Sequence, residues 1–158
     1  MNNKRILVTG ASGFIGSHTL KHLLNQNLEV HAVSHKRLLK LSKVNWHCCD
    51  LLDKSQRRTL LRQLKPEYLI HAAWYAEHGK FWYDPENNDW LNASKDLIRE
   101  FADQGGIASL GLAAVPSMTG DAKIHNSGTK MIVVSLLRYM GKQNTRLINI
   151  YKALLSLD

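Results

Sequence analysis

Three glycines, Gly10, Gly13 and Gly16, have the spacing of a loop that binds phosphate. An apolar run ends at Thr9, the glycines follow in the pattern G-x-x-G-x-x-G, and an amphipathic segment starts directly after them. A strand, a glycine turn and a helix in this order place a pyrophosphate at a helix N-terminus. The sequence therefore predicts a dinucleotide site whose loop contributes Gly10, Ser12, Gly13, Phe14, Ile15 and Gly16. The alternative is a glycine-rich turn without a ligand.

Each of the three glycines has its own expected role in this loop. Gly10 permits the tight turn, and Gly13 lets the backbone approach the phosphates. Gly16 lets the helix pack closely on the strand.

The residues after the second apolar run bear on which dinucleotide binds. A carboxylate at this position would accept hydrogen bonds from the adenosine ribose and favour NAD. The sequence instead has Ser34 followed by His35, Lys36 and Arg37. A cationic cluster beside a hydroxyl suits a 2′-phosphate, so the sequence favours NADP(H), with NAD(H) as the second option. An ordinary solvated turn is the alternative.

Two further dipeptides lie where strands are expected to end. Asp50 and Leu51 follow the third strand, where they are placed to meet the adenine edge. Ala72 and Ala73 end the fourth strand and leave room beside the cofactor, although small residues there equally suit plain strand packing. The preceding His71 lies within an apolar strand, which favours a buried core histidine with a backbone partner over a catalytic one.

Hydrophobic patterning predicts the elements that position these residues. Four apolar runs are typical of buried parallel strands, ending near Thr9 and covering 28–33, 44–49 and 68–73. Helical spacing follows the glycine loop, again after Asp53 as far as Pro66, and again from Pro85 to the pair Gly105-Gly106. The third helix has one apolar face, with Trp90, Ser94, Leu97, Ile98 and Phe101. Strands that alternate with helices predict an α/β, doubly wound parallel sheet.

The composition limits the class of protein. With 158 residues, the chain is long enough for one domain with a real core but too short for a nucleotide domain plus a full substrate domain. No apolar run approaches the roughly 20 residues of a membrane span, and the first residues lead straight into a strand, which predicts no signal peptide. Cys48 and Cys49 are adjacent and match neither a disulfide framework nor metal-ligand spacing. We therefore expect a cytoplasmic protein with no metal.

The net charge of +8 indicates a basic surface that favours anionic ligands. The basic residues are scattered and not interleaved with aromatic residues, so nucleic-acid binding is the least favoured function.

The composition changes after residue 105. Residues 106–158 contain no Trp, and only Asp121 and Asp158 are acidic against six Lys and Arg. The run from Ile132 to Leu137 is compatible with a strand or a helix, but nothing joins it to the sheet. We therefore divide the chain into a nucleotide-binding domain, 1–105, and an atypical, irregular tail, 106–158.

The motifs at 10–16, Asp50-Leu51 and His71-Ala72-Ala73 resemble those of extended short-chain dehydrogenase/reductases, within them the NAD-dependent epimerase/dehydratase family. The resemblance covers residues 4–105 and implies a truncated Rossmann-type NAD(P)-binding domain. In an intact family member the substrate would be a nucleotide sugar.

The same family needs a Tyr as acid/base and a Lys four residues later. Residues four positions after the five tyrosines are Ala72, Gly79, Asn87, Gln143 and Leu155, so the pair is absent. The resemblance thus implies the cofactor-binding half of a nucleotide-sugar epimerase, dehydratase or reductase without catalysis. The alternative is a non-catalytic NADP(H)-binding regulatory module.

A shift in reading frame is one explanation of the tail. Codons for residues 112–120 can be chosen so that another frame reads Gly-Ser-Cys-Ala-Glu-Tyr-Asp-Trp, a segment similar to one that follows the fifth strand in the family. In the same phase, residues 137–144 permit Tyr-Gly-Lys-Ala-Lys, which contains the missing Tyr-x-x-x-Lys pair. We hypothesise a one-base slip near Gly105-Gly106, against the alternative of a chance match.

Overall fold

A computed structural model describes residues 4–35, 41–75, 84–113 and 132–134, which form a sheet covered by helices on both faces. The strands are β1 Lys4–Thr9, β2 Leu28–Ser34, β3 Val44–Cys48, β4 Tyr68–His71, β5 Ala108–Ala113 and β6 Ile132–Val134. The helices are α1 Phe14–Leu23, α2 Lys54–Leu64 and α3 Glu86–Asp103. The strand order within these residues is β3-β2-β1-β4-β5-β6.

The central strand β1 pairs in parallel with both β2 and β4. Ile6 lies opposite Val30 of β2 on one side and Tyr68 of β4 on the other. The chain therefore winds outward in one direction as far as β3, then crosses to the other side of β1 to form β4. In open α/β sheets a ligand crevice lies at such a reversal, beyond the carboxyl ends of the strands.

Neighbouring residues of β1 supply two separate cores. Ile6 and Val8 pack with Leu20 and Leu23 of α1 on one face. Leu7, between them, packs on the opposite face, in the core that contains residues of α2 and α3. This alternation follows from the two-residue period of a strand. The predicted doubly wound α/β fold is confirmed.

The helix α2 has the start and the stop that the sequence predicts. The Asp53 carboxylate accepts the backbone N–H groups of Ser55 and Gln56, at 2.8 and 3.1 Å. These contacts lower the pKa of Asp53, chiefly through the Gln56 backbone N–H. At the other end Lys65 adopts a left-handed conformation with φ 42°, and Pro66 follows.

The sheet continues beyond residue 105. α3 ends at Asp103, and Gly105 turns the chain with φ +86°. β5 then pairs in parallel with β4, and the short β6 pairs antiparallel with β5. The sequence did not predict β5. Of the predicted run from Ile132 to Leu137, the described part is a strand, β6, and residues 135–137 lie outside the described residues.

Candidate cofactor site

The glycine loop lies directly against the end of β4. Gly10 has φ +64°, and a Cβ built on it would lie 2.6 Å from backbone atoms of both Ala72 and Ala73. A backbone bond from Ala72 N–H to Thr9 O fixes this approach, and one from Ala11 N–H to Val33 O ties the loop to β2, each 3.2 Å. Only glycine fits at position 10, because both the conformation and the space exclude a side chain.

The other two glycines have different surroundings. A Cβ on Gly16 would overlap the Gly10 carbonyl and lie 2.7 Å from the Ala11 Cα, so this glycine is needed for packing within the loop. A Cβ on Gly13 would meet only the Gly10 oxygen, at 3.2 Å, and Gly13 is exposed. Gly13 is also the N-cap of α1, where no side chain caps the helix and no acidic residue lies in the first turn. These features leave the helix N-terminus open to an anion.

The remaining loop residues divide between the surface and the core. Phe14 is 81% exposed, and its ring lies 4.7 Å from that of His18. Ile15 is half-buried and packs on the α1 core. The Ser12 hydroxyl lies 2.9 Å from the Ser34 hydroxyl, which ties the loop to the carboxyl end of β2.

The base end of the site contains a contact that the sequence did not predict. His35 Nδ1 lies 3.7 Å from Asp50 Oδ1, although the two residues follow different strands. The Cys48 thiol donates to the His35 carbonyl at 3.3 Å and holds this turn against β3. A carboxylate therefore lies beside the first of the three basic residues predicted to receive a 2′-phosphate. The other two, Lys36 and Arg37, lie outside the described residues.

Asp50 and Leu51 have different environments. Asp50 is partly exposed and accepts the Leu52 N–H at 2.9 Å, while its own N–H donates to Gln56 Oε1 at 2.9 Å. The Leu51 side chain is 6% exposed and packs in the core shared by α2 and α3.

Ala72 and Ala73 meet the glycine loop through their backbones. Ala73 is buried in the second core, and Ala72 is half-buried against the first. The Ala72 N–H donates to the Thr9 carbonyl at 3.2 Å, and the Ala73 N–H donates to the Thr9 hydroxyl at 3.4 Å.

His71 is buried, as predicted, but the structure corrects the predicted backbone partner. Its Nδ1 lies 2.6 Å from the Thr9 hydroxyl and its Nε2 lies 2.7 Å from the Ser94 hydroxyl. Each ring nitrogen therefore has a hydroxyl partner, and in the neutral imidazole one nitrogen donates while the other accepts. Burial lowers the pKa of His71 to about 4, so the imidazole is neutral. The chain Thr9–His71–Ser94 links the glycine loop to α3.

The described residues also bear on metal and membrane functions. No cluster of three or more His, Cys, Asp or Glu side chains among them could hold a metal ion. In the same part of the chain, none of the helices combines the length and the apolar character needed to span a membrane.

Comparison with known proteins gives a consistent family. A model of the NAD dependent epimerase/dehydratase family matches residues 6–110. A GDP-L-colitose synthase of Yersinia pseudotuberculosis is 36% identical over 69 residues, which are 44% of this chain and 19% of that protein. The methionine adenosyltransferase 2 subunit beta of Xenopus laevis is 28% identical over 105 residues, 65% of this chain and 30% of that protein.

Among solved structures, the Thermus thermophilus UDP-glucose 4-epimerase in complex with NAD superposes with a TM-score of 0.58 at 29% identity. This match covers 66% of this chain and 36% of the epimerase. The chain therefore spans about a fifth to a third of the length of the curated relatives and about a third of the solved one.

Proposed function

Because the chain belongs to the NAD-dependent epimerase/dehydratase family, we propose that it binds a nicotinamide dinucleotide at the carboxyl ends of β1, β2 and β4. It would be the cofactor-binding part of a nucleotide-sugar epimerase, dehydratase or reductase. The observation that carries this proposal is the contrast within the glycine loop. Gly10 and Gly16 are closed in by backbone, whereas Gly13 is exposed at the uncapped start of α1. A pyrophosphate fits this arrangement, since it can accept N–H groups there without meeting a side chain.

The nicotinamide and sugar parts of the proposal rest on the relatives. The Thermus thermophilus protein is named as a UDP-glucose 4-epimerase in complex with NAD, and the Yersinia protein as a GDP-L-colitose synthase. We propose a nucleotide sugar as the substrate of the intact protein. We also propose that this protein acts in the cytoplasm. No Tyr in the sequence has Lys four residues later, so this chain would hold the cofactor without turning over a sugar.

For the cofactor we favour NADP(H), with NAD(H) as the second option. His35 lies at the end of β2, and Lys36 and Arg37 follow it directly. The Asp50 carboxylate, 3.7 Å from His35, opposes a 2′-phosphate, but it is one negative charge against three basic residues.

The first test combines two titrations with a variant of the loop. We expect wild-type protein to bind NADPH more tightly than NADH in a fluorescence titration. Gly13→Val should weaken the binding of both by roughly a hundredfold, about 2.7 kcal/mol, because its side chain would occupy the space of the pyrophosphate. The φ of Gly13 is −78°, which valine readily adopts, so the variant should stay folded.

Lys21→Ala is the matched control, since Lys21 is exposed at the far end of α1. Unchanged binding by Gly13→Val would remove the glycine loop from the site. Tighter binding of NADH would contradict the assignment of His35, Lys36 and Arg37.

We propose further that a one-base slip near Gly105-Gly106 puts residues 106–158 out of frame, against which stand the family match as far as residue 110 and the pairing of β5 with β4. Three features support this: the change in composition after residue 105, the missing Tyr-Lys pair, and the two family-like segments in one alternative phase. Sequencing the coding DNA across codons 104–158 tests it directly. One frame should continue through Gly-Ser-Cys-Ala-Glu-Tyr-Asp-Trp to Tyr-x-x-x-Lys, and the absence of both motifs would make the tail genuine coding sequence.

The second candidate is a non-catalytic NADP(H)-binding regulatory module. It is favoured by the Xenopus laevis relative, whose name describes a subunit of methionine adenosyltransferase 2. This candidate requires a genuine tail and a soluble chain that binds NADPH with micromolar affinity. Aggregation on expression, together with an open frame elsewhere, would favour the first candidate.

A further inference from the structure

Arg57, on the first turns of α2, has a buried side chain that holds the loop before its own helix. The residue is 2% exposed. Its Nη1 donates to the carbonyl oxygens of Leu51 and Leu52, at 2.5 and 3.2 Å. A guanidinium removed from water needs such acceptors, and here they are backbone atoms of the segment Asp50 to Asp53, the 50–53 loop.

The same guanidinium is anchored from the other side by α3. Its Nη2 lies 3.6 Å from Asp96 Oδ2, a carboxylate whose side chain is 36% exposed. Arg57 thus connects α3 to the 50–53 loop, and the planar fork of its donors suits two acceptors in different directions.

The 50–53 loop carries the carboxylate that faces the base end of the site. Asp50 Oδ1 lies 3.7 Å from His35 and accepts the Leu52 N–H at 2.9 Å. Leu52, whose N–H donates to Asp50, also has one of the two carbonyl oxygens that accept hydrogen bonds from Arg57. A displacement of Leu52 would therefore displace the Asp50 carboxylate relative to His35.

We propose that Arg57 is a positioning residue for the adenosine part of the cofactor. It acts through the Leu51 and Leu52 carbonyls and fixes where the Asp50 carboxylate lies. The inference rests on the proposed dinucleotide site for its consequence, whereas the hold on the 50–53 loop can be measured without any cofactor.

The neighbouring Arg58 provides a matched comparison. It also joins α2 to α3, through an ion pair with Glu100 at 2.8 Å, but its side chain is 47% exposed. The structure records bonds to the 50–53 loop for Arg57 and an ion pair across the helices for Arg58. Removing Arg58 therefore tests the contact between the helices alone.

The experiment compares Arg57→Met, Arg58→Met and Asp96→Asn in the full chain. Hydrogen exchange of the free protein should show the Leu52 and Asp53 amides exchanging about tenfold faster in Arg57→Met than in Arg58→Met. Arg57→Met should also weaken the binding of NADH, which lacks the 2′-phosphate that the Asp50 carboxylate opposes, about tenfold, with Arg58→Met near wild type. Asp96→Asn keeps the bonds from Arg57 to the Leu51 and Leu52 carbonyls and removes the charge of the Asp96 carboxylate. It should show smaller changes in the same direction, and it replaces Arg57→Met in the experiment if that variant does not fold.

A double-mutant cycle separates positioning from general destabilisation. In an Asp50→Ala background, Arg57→Met should weaken NADH binding by less than about twofold, because its effect passes through Asp50. If Arg57→Met and Asp50→Ala weaken affinity independently, so that their effects multiply in the double variant, the proposal is overturned. Unchanged hydrogen exchange of the 50–53 loop in Arg57→Met would overturn it as well. If wild-type protein binds no dinucleotide while Arg57→Met speeds the exchange, the proposed function fails and the hold on the loop stands as structure alone.

Discussion

Gly16→Ala is expected to destabilise the protein by about 3 kcal/mol or more. Replacing a glycine inside a helix by alanine normally has the opposite effect and stabilises the helix by at most about 1 kcal/mol. Gly16 is buried in α1, and the new methyl group would overlap the Gly10 carbonyl and press on the Ala11 Cα. Both obstacles are backbone atoms of the glycine loop, so no side-chain rotation can relieve them. Urea denaturation followed by circular dichroism should show a much lower midpoint with an unchanged slope.

Gly13→Ala is the matched control for Gly16→Ala. Its methyl group would meet only the Gly10 oxygen at 3.2 Å, and its backbone is extended with φ −78°. We expect its free energy of unfolding to stay within about 1 kcal/mol of wild type. A wild-type midpoint for Gly16→Ala would contradict the close packing of α1 on the loop. Equal losses in both variants would contradict the distinction between a packing glycine and a ligand-facing glycine.

Local signals predicted the elements that position the loop, because their causes lie within a few residues. The glycine spacing, the apolar runs and the Asp53 cap each depend on neighbours in sequence, and the structure has the corresponding turn, strands and helix. The strand β5 has no such signal. Its sequence, Ala-Ser-Leu-Gly-Leu-Ala, lacks β-branched residues, and pairing with β4 gives it a strand conformation.

The contacts that complete the site come from distant parts of the chain. Thr9 and His71 are 62 residues apart in sequence, and His71 and Ser94 are 23 apart. The pair His35–Asp50 depends on how the ends of β2 and β3 are aligned, with Ser34 opposite Cys48. Residue types alone do not report such juxtapositions. The basic residues after β2 therefore favoured a 2′-phosphate in the sequence analysis. Only the fold shows that the Asp50 carboxylate lies next to the first of them, His35.

The buried His71 should make stability depend on pH. Its pKa is about 4 in the folded protein and about 6.5 in the unfolded chain. Above pH 6.5 the imidazole is neutral in both states and contributes no pH dependence. As the pH falls below 6.5, only the unfolded chain takes up the proton, which lowers the free energy of unfolding by about 1.4 kcal/mol per pH unit until about pH 4. The total loss attributable to this residue is about 3 kcal/mol.

His71→Asn separates this titration from the packing role of the ring. The amide cannot titrate and is smaller, so at pH 7.5 the variant should be less stable by about 2–4 kcal/mol, through lost hydrogen bonds and a cavity. Wild type alone loses stability through the titration of His71 in acid. The difference in free energy of unfolding between wild type and His71→Asn, the gap, should therefore narrow as the pH falls and nearly close by about pH 4. His47, whose pKa is lowered by burial and by His31, is present in both proteins and cancels in the difference.

Urea denaturation at intervals from pH 7.5 to 4 measures this gap, with His22→Asn, at an exposed position of α1, as the control. A gap that stays constant across this range would mean that the imidazole does not titrate as a buried neutral base. A narrowing gap would show that the folded protein keeps this imidazole neutral while the unfolded chain takes up a proton. Because His71 stays neutral in the folded protein down to about pH 4, its contacts with Thr9 and Ser94 should persist over this interval, and the dinucleotide affinity of the folded protein should not fall through this residue until about pH 4.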